Sequence, residues 1–171
     1  MSGKERLEQS ALIAEVLGGI AVVVSVIYLA IQISDNNRLL QSQAHYNALD
    51  VIQRPYELAL ENDEINEALA DCAADPRNVE AAIWRRCRDY WFLMFNGWEY
   101  AYYQNLDGSI PTPLWDGIND GISFTSKRNP VIARYWEQES ISFGEPFKSY
   151  VEDIVSRNEH YTKPSRDPSG G

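Results

Sequence analysis

Residues Ala11 to Ile33 read ALIAEVLGGIAVVVSVIYLAIQI, and this stretch decides the architecture of the chain. Its one charge is Glu15, and no charged side chain occurs from Val16 to Ile33. A helix rises about 1.5 Å per residue, so about 20 apolar residues cross a hydrocarbon core about 30 Å thick. The segment is long enough for one crossing if Glu15 and Gln32 sit at the two interfaces. Tyr28, one turn before Gln32, then takes an interfacial position that suits an aromatic ring. A cleaved signal has a shorter apolar run and a small-residue cleavage site behind it. Here the chain continues instead into SDNNRLLQSQ, Ser34 to Gln43. Core helices of soluble proteins are usually shorter than this one. The segment therefore reads as one transmembrane helix over residues 11–33, behind an N-terminal flank of residues 1–10, with a lipid bilayer as its first partner.

Small residues recur along one side of it. Ala14, Gly18, Ala21 and Ser25 form a stripe that Tyr28 and Gln32 continue. Small residues let membrane helices approach closely, and a glutamine can bond across such a contact. Ala14, Gly18, Ala21, Ser25 and Gln32 are thus a candidate association face, for a homo-oligomer or a protein partner; the alternative is a face that meets lipid only. Lys4 and Arg6 precede the span and Arg38 and Arg54 follow it, so the positive-inside rule does not choose an orientation.

Outward from the span, residues 34–53 are polar with interspersed Leu39, Leu40, Ala44, Leu49, Val51 and Ile52. With neither Gly nor Pro before Pro55, the membrane helix is expected to run on into water and to kink or restart at Pro55. Asp63 is the expected N-cap of a short acidic helix ending near Ala73. Asp75-Pro76 stops the chain, and a helix from about Val79 to Gln104 follows. Its apolar positions Ile83, Cys87, Tyr90, Met94, Trp98 and Ala101, with Trp84, Trp91, Phe95 and Tyr102 on an adjoining face, give the wide stripe of a central helix. Arg85, Arg86 and Arg88 are placed to pair with the acidic helix before it. Thr112-Pro113, Asn129-Pro130 and Glu145-Pro146 each open a further helix. From about Asn158 the composition turns polar, and residues 158–171 read as a disordered tail. The fold class is all-α: a transmembrane helix continuing into a bundle of about five further helices, with residues 34–157 as the helical domain.

The chain has 171 residues and a formal net charge of -10, which fits one domain plus an attachment without the basic face of a nucleic-acid reader. Nucleic acid is therefore not an expected partner. Cys72 and Cys87 are too few for a disulfide scaffold and lack metal-ligand spacing. They read first as two small buried residues on neighbouring helices, and as one disulfide if the domain faces an oxidising compartment. His45 and His160 stand far apart, so neither a metal nor another cofactor is expected. The chain carries no G-x-S-x-G elbow, P-loop or G-x-G-x-x-G loop, and no nucleophile and base are paired for catalysis. Five Trp and ten Tyr are enough to build an aromatic core. The same rings suit a ligand pocket, with Trp91, Trp98, Tyr102 and Trp115 as its candidate lining.

Several segments together carry a resemblance. They are VIYLAIQI (from Val26), NNRLLQSQA (from Asn36), FNGWEYAYYQNLDG (from Phe95), LWDG (from Leu114), RYWEQES (from Arg134) and the Phe147–Tyr150–Val151 pattern. The set resembles a group of uncharacterised single-span bacterial membrane proteins with a helical C-terminal domain. The resemblance implies an inner-membrane location with the domain in the cytoplasm, and brings no activity and no functional residues. Ser34-Asp35 departs from the basic cluster that such proteins place after the span. The function expected is a membrane-anchored interaction or scaffold module, with a small-molecule-sensing domain as the alternative.

Overall fold

The computed structural model of the protein describes residues 3–162. Its elements are α1 (Gly3–Glu61), α2 (Asp63–Ala74), α3 (Ala81–Leu106), α4 (Thr112–Arg128), α5 (Pro130–Glu139), a 3-10 turn (Ser140–Ser142) and α6 (Phe147–Val155). The protein is all-α, with one long N-terminal helix and five further α-helices among the described residues. The chain divides into two units, Met1–Ser42 and Gln43–Gly171.

In the first unit α1 is an apolar rod. Every described side chain from Leu7 to Ser42 is exposed, including Leu12, Val16, Leu17, Ile20, Val23, Ile27 and Ile31. This helix is long and apolar enough to cross a membrane. A helix that is apolar all round ordinarily lies in a protein core or in lipid, because water solvates such a surface poorly.

The second unit begins within α1, which does not break at Pro55 as the sequence suggested. It continues through Pro55 to Glu61. A proline inside a helix forfeits one backbone hydrogen bond. Here its ring is among the fully buried groups, so packing offsets the loss. The cap between α1 and α2 falls one residue earlier than expected: the Asn62 side chain accepts from the Ile65 amide at 3.2 Å. Asp63 and Glu64 then occupy the first turn of α2, the end of a helix that favours negative charge. Thr112 likewise lies inside α4, with Pro111 in the cap position. Asn129 caps α5 as its pairing with Pro130 implied, its side chain accepting from the Val131 amide at 2.9 Å.

The core is organised around α3, which packs against α2, α4, α5 and α6. Trp84, Cys87, Tyr90, Trp91, Met94, Phe95, Trp98 and Ala101 are buried along its stripe. From α5 come Val131, Ile132, Tyr135 and Trp136, and from α6 Phe147, Val151, Ile154 and Val155. Where α3 crosses the end of α1, contact is made backbone to backbone. A Cβ on Gly97 would lie 3.2 Å from the Val51 carbonyl oxygen and 3.4 Å from the Ile52 Cα. Backbone cannot move aside as a flexible side chain can. Gly97→Leu is therefore expected to destabilise the domain by about 3 kcal/mol, as overpacking does, measured by urea unfolding of the purified chain.

Where the tail is expected to begin, Asn158 is buried and Tyr161 half-buried, while Glu159, His160 and Thr162 are exposed. Asn158 is 3% exposed, and its amide donates to the carbonyls of Ser126 at 2.8 Å and Asn129 at 3.0 Å. The Tyr161 hydroxyl donates to Glu152 at 2.9 Å, and the Thr162 amide to Glu137 at 2.8 Å. The remainder of that segment, residues 163–171, lies outside the described residues.

Candidate functional site

The four aromatics suggested as a pocket differ in burial and in the rings they meet. Trp91 and Trp98 are core residues, 7% and 4% exposed, with ring centroids 6.3 Å apart. Phe95 lies 4.8 Å from Trp98 and stacks on Tyr135 and Trp136 at 5.0 and 5.3 Å, so this group is the hub of the core. Tyr102 is 5.9 Å from Trp115 and 4.9 Å from Tyr150, and meets the core at Phe147, 5.6 Å away. The Tyr150 hydroxyl donates to Asn119 at 2.7 Å and ties α6 to α4. Of the four rings, Trp98 reaches a groove of about 350 Å³ that is also lined by Ile52, Tyr56, Leu114, Gly117 and Ile118. Sequence periodicity identifies which rings are buried but not which turn of a neighbouring helix each one meets.

The candidate association face lies on α1, where Ala14, Gly18, Ala21, Ser25 and Gln32 are all exposed. A Cβ on Gly18 would have nothing within 4 Å. The Ser25 hydroxyl donates to the Ala21 carbonyl at 2.8 Å, which satisfies it within its own helix.

The cysteines are the largest departure from expectation. They lie buried on neighbouring helices, α2 and α3, as anticipated. The structure joins them, however, by a disulfide with Sγ–Sγ 2.00 Å and Cα–Cα 6.7 Å, where two free thiols had been the first reading. Their spacing in sequence, without a partner pattern, carries no signal that distinguishes the two states.

The expected charge pairing is partly realised. Arg86 meets Glu64 of the acidic helix at 3.0 Å, with both side chains more than half exposed, so the pair contributes little. Arg88 turns instead toward Asp89 and Glu139. Arg77 and Arg134 tie the α2–α3 connection to α5. Arg77 donates to Glu137 at 2.8 Å, while Arg134 donates to the Pro76 carbonyl and lies 3.8 Å from the Trp84 ring centre. Among the described residues no three His, Cys, Asp or Glu side chains converge as metal ligands.

Burial raises several phenols. Loss of hydration pushes the Tyr90 hydroxyl up to about 12, with the nearby Tyr56 adding to it, and Tyr135, Tyr150 and Tyr161 shift the same way. A tyrosine in the unfolded chain ionises near pH 10. The folded state binds these protons more tightly, so the stability they contribute is intact below about pH 10 and is lost as pH rises toward 12. Unfolding measured across this range is expected to show that decline, and Tyr90→Phe to make it shallower.

Set against protein-family models, curated proteins and solved structures, the chain matches none.

Proposed function

We propose that this chain is a membrane-anchored helical interaction module, with Ala11–Ile33 crossing a bacterial inner membrane once and the helical domain presented to a protein partner. One observation carries the reading: α1 is an apolar helix long enough to span a bilayer, and none of the qualifying stretch is buried. An uncovered surface of this kind is stable in lipid and unfavourable in water. The resemblance to single-span bacterial proteins supports the same reading.

The small-residue face of the span is the proposed route to self-association, with Gln32 at its end. Crosslinking of the full chain in native membranes is expected to give a dimer or higher species, and Gly18→Ile to remove it. Because Gly18 has open space around it, the substitution leaves the fold untouched. A chain that is monomeric with and without the substitution contradicts this part of the reading.

Chemistry bears on the proposed side of the membrane. The resemblance implies a cytoplasmic domain, but cytosolic reductants keep thiols reduced. The Cys72–Cys87 bond therefore favours the oxidising side, and the proposal places the domain there. A second reading, small-molecule sensing, is supported by the groove beside Trp98. Binding there would change the fluorescence of that ring.

A further inference from the structure

The part of α1 in the second unit carries two apolar faces. One packs on the domain: Ala48 and Pro55 are fully buried, Ala59 rests against the core, and the Ile52 backbone passes close to Gly97. The other is bare. Tyr46 and Leu60 are 72% and 83% exposed, the most exposed large apolar side chains on this stretch, and Gln53 between them is exposed too. A single exposed apolar side chain is ordinary, but these are ordered. They fall on one seven-residue spacing. In the sequence that spacing runs back through the exposed Leu39 to Gln32, Ser25 and Gly18 of the candidate association face.

A seven-residue spacing suits a helix that lies along a second helix. Side chains at that interval hold one seam when two helices wind about each other in a left-handed supercoil. The residue types along the series follow the solvent. Gly18, Ser25 and Gln32 belong to the apolar stretch, where close approach and a hydrogen bond hold helices together. Leu39, Tyr46 and Leu60 come after it, where removal of apolar surface from water does so. Gln53 among them suits a polar seam position, which fixes register at some cost in stability.

The size of the bare strip selects the partner. From Tyr46 to Leu60 is about 21 Å of helix, and a strip about 10 Å wide offers about 200 Å². A stable interface between freely diffusing proteins takes about 800 Å² from each partner. The strip is too small to capture a soluble partner. It suffices for a chain already held alongside, because tethering supplies a high effective concentration. A second copy that crosses the same membrane in the same direction is held in this way, each residue level with its counterpart. We infer that two copies pair in parallel and in register beyond the membrane, with Leu39, Tyr46, Gln53 and Leu60 each meeting the same residue of the partner copy. The inference rests on the proposed span and on self-association within it.

The test is oxidative crosslinking, with copper phenanthroline in native membranes, of full chains that each carry one added cysteine. Leu39→Cys, Tyr46→Cys, Gln53→Cys and Leu60→Cys are set against Asn47→Cys, Arg54→Cys and Glu61→Cys, which are also exposed but lie one position further round the helix. Cys72 and Cys87 are buried in their own bond and add no crosslink. Disulfide-linked dimer is expected at the first four positions in about tenfold or greater excess over the other three. Tyr46→Glu, which sets two carboxylates face to face, is expected to lower the Leu60→Cys yield several-fold, and Asn47→Glu to leave it unchanged. Ser25→Cys reports separately on the span. If Ser25→Cys crosslinks while the four positions show no excess over the three, self-association in the membrane stands and this inference is overturned. Equal yields at all seven positions, or none at any, overturn it as well. An excess at the four without a crosslink at Ser25 upholds it and removes the reading of the small-residue face.

Discussion

Phe95→Ala is expected to lower the unfolding free energy of the helical domain by about 3–5 kcal/mol, the range for emptying a buried aromatic site. Phe95 is fully buried, and four rings converge on it: Trp98, Tyr135, Trp136 and Phe143, with centroids 4.8, 5.0, 5.3 and 5.7 Å away. Those rings come from α3, α5 and the segment that follows the 3-10 turn. They cannot close over the space together, so most of the volume stays as a cavity. Aromatic pairs also contribute about 0.5–1.5 kcal/mol beyond the area they bury. Denaturant unfolding followed by tryptophan fluorescence measures the effect. A loss below about 1 kcal/mol would mean that the core is not centred on this ring.

Breaking the Cys72–Cys87 bond is expected to remove about 3 kcal/mol, the chain-entropy estimate for a closed loop of this length. The two residues are 15 apart and join α2 to α3. α2 depends on the bond because Ala68 and Cys72 are its only buried residues. Melting of the wild-type chain with reductant, beside a Cys72→Ala/Cys87→Ala variant without it, is expected to show a shared fall of about 10 °C. Alkylation of the unreduced, denatured chain taken from cells is expected to label neither cysteine. Two labelled thiols would return the domain to a reducing compartment.

Much of the fold was legible because it follows local rules. On α3, Ile83, Cys87, Tyr90, Met94, Trp98 and Ala101 recur at helical spacing; the last five are buried and Ile83 is partly buried against the core. Asn129-Pro130 and Glu145-Pro146 mark helix starts through chemistry that acts within a few residues. Illegible features depend on groups distant in sequence. Pro55 is tolerated in α1 because its ring is buried. Asn158 is ordered by carbonyls of Ser126 and Asn129, about 30 residues upstream. Gly97 gave no sign of the close helix crossing that its missing Cβ permits. The Arg88–Glu139 contact is illegible for the same reason: the sequence places Arg88 opposite the acidic helix, and only the packing of α5 on α3 shows it beside Glu139. Of the candidate pocket rings, Trp91 and Trp98 are buried in the core and Tyr102 packs against it, an arrangement set by residues distant in sequence.

The most direct test of the membrane anchor is alkaline carbonate extraction of cell membranes, followed by intact-mass measurement of the retained chain. The protein is expected to stay in the membrane pellet at a mass that includes residues 11–33. Release into the supernatant, or a chain shortened by loss of that segment, would contradict it.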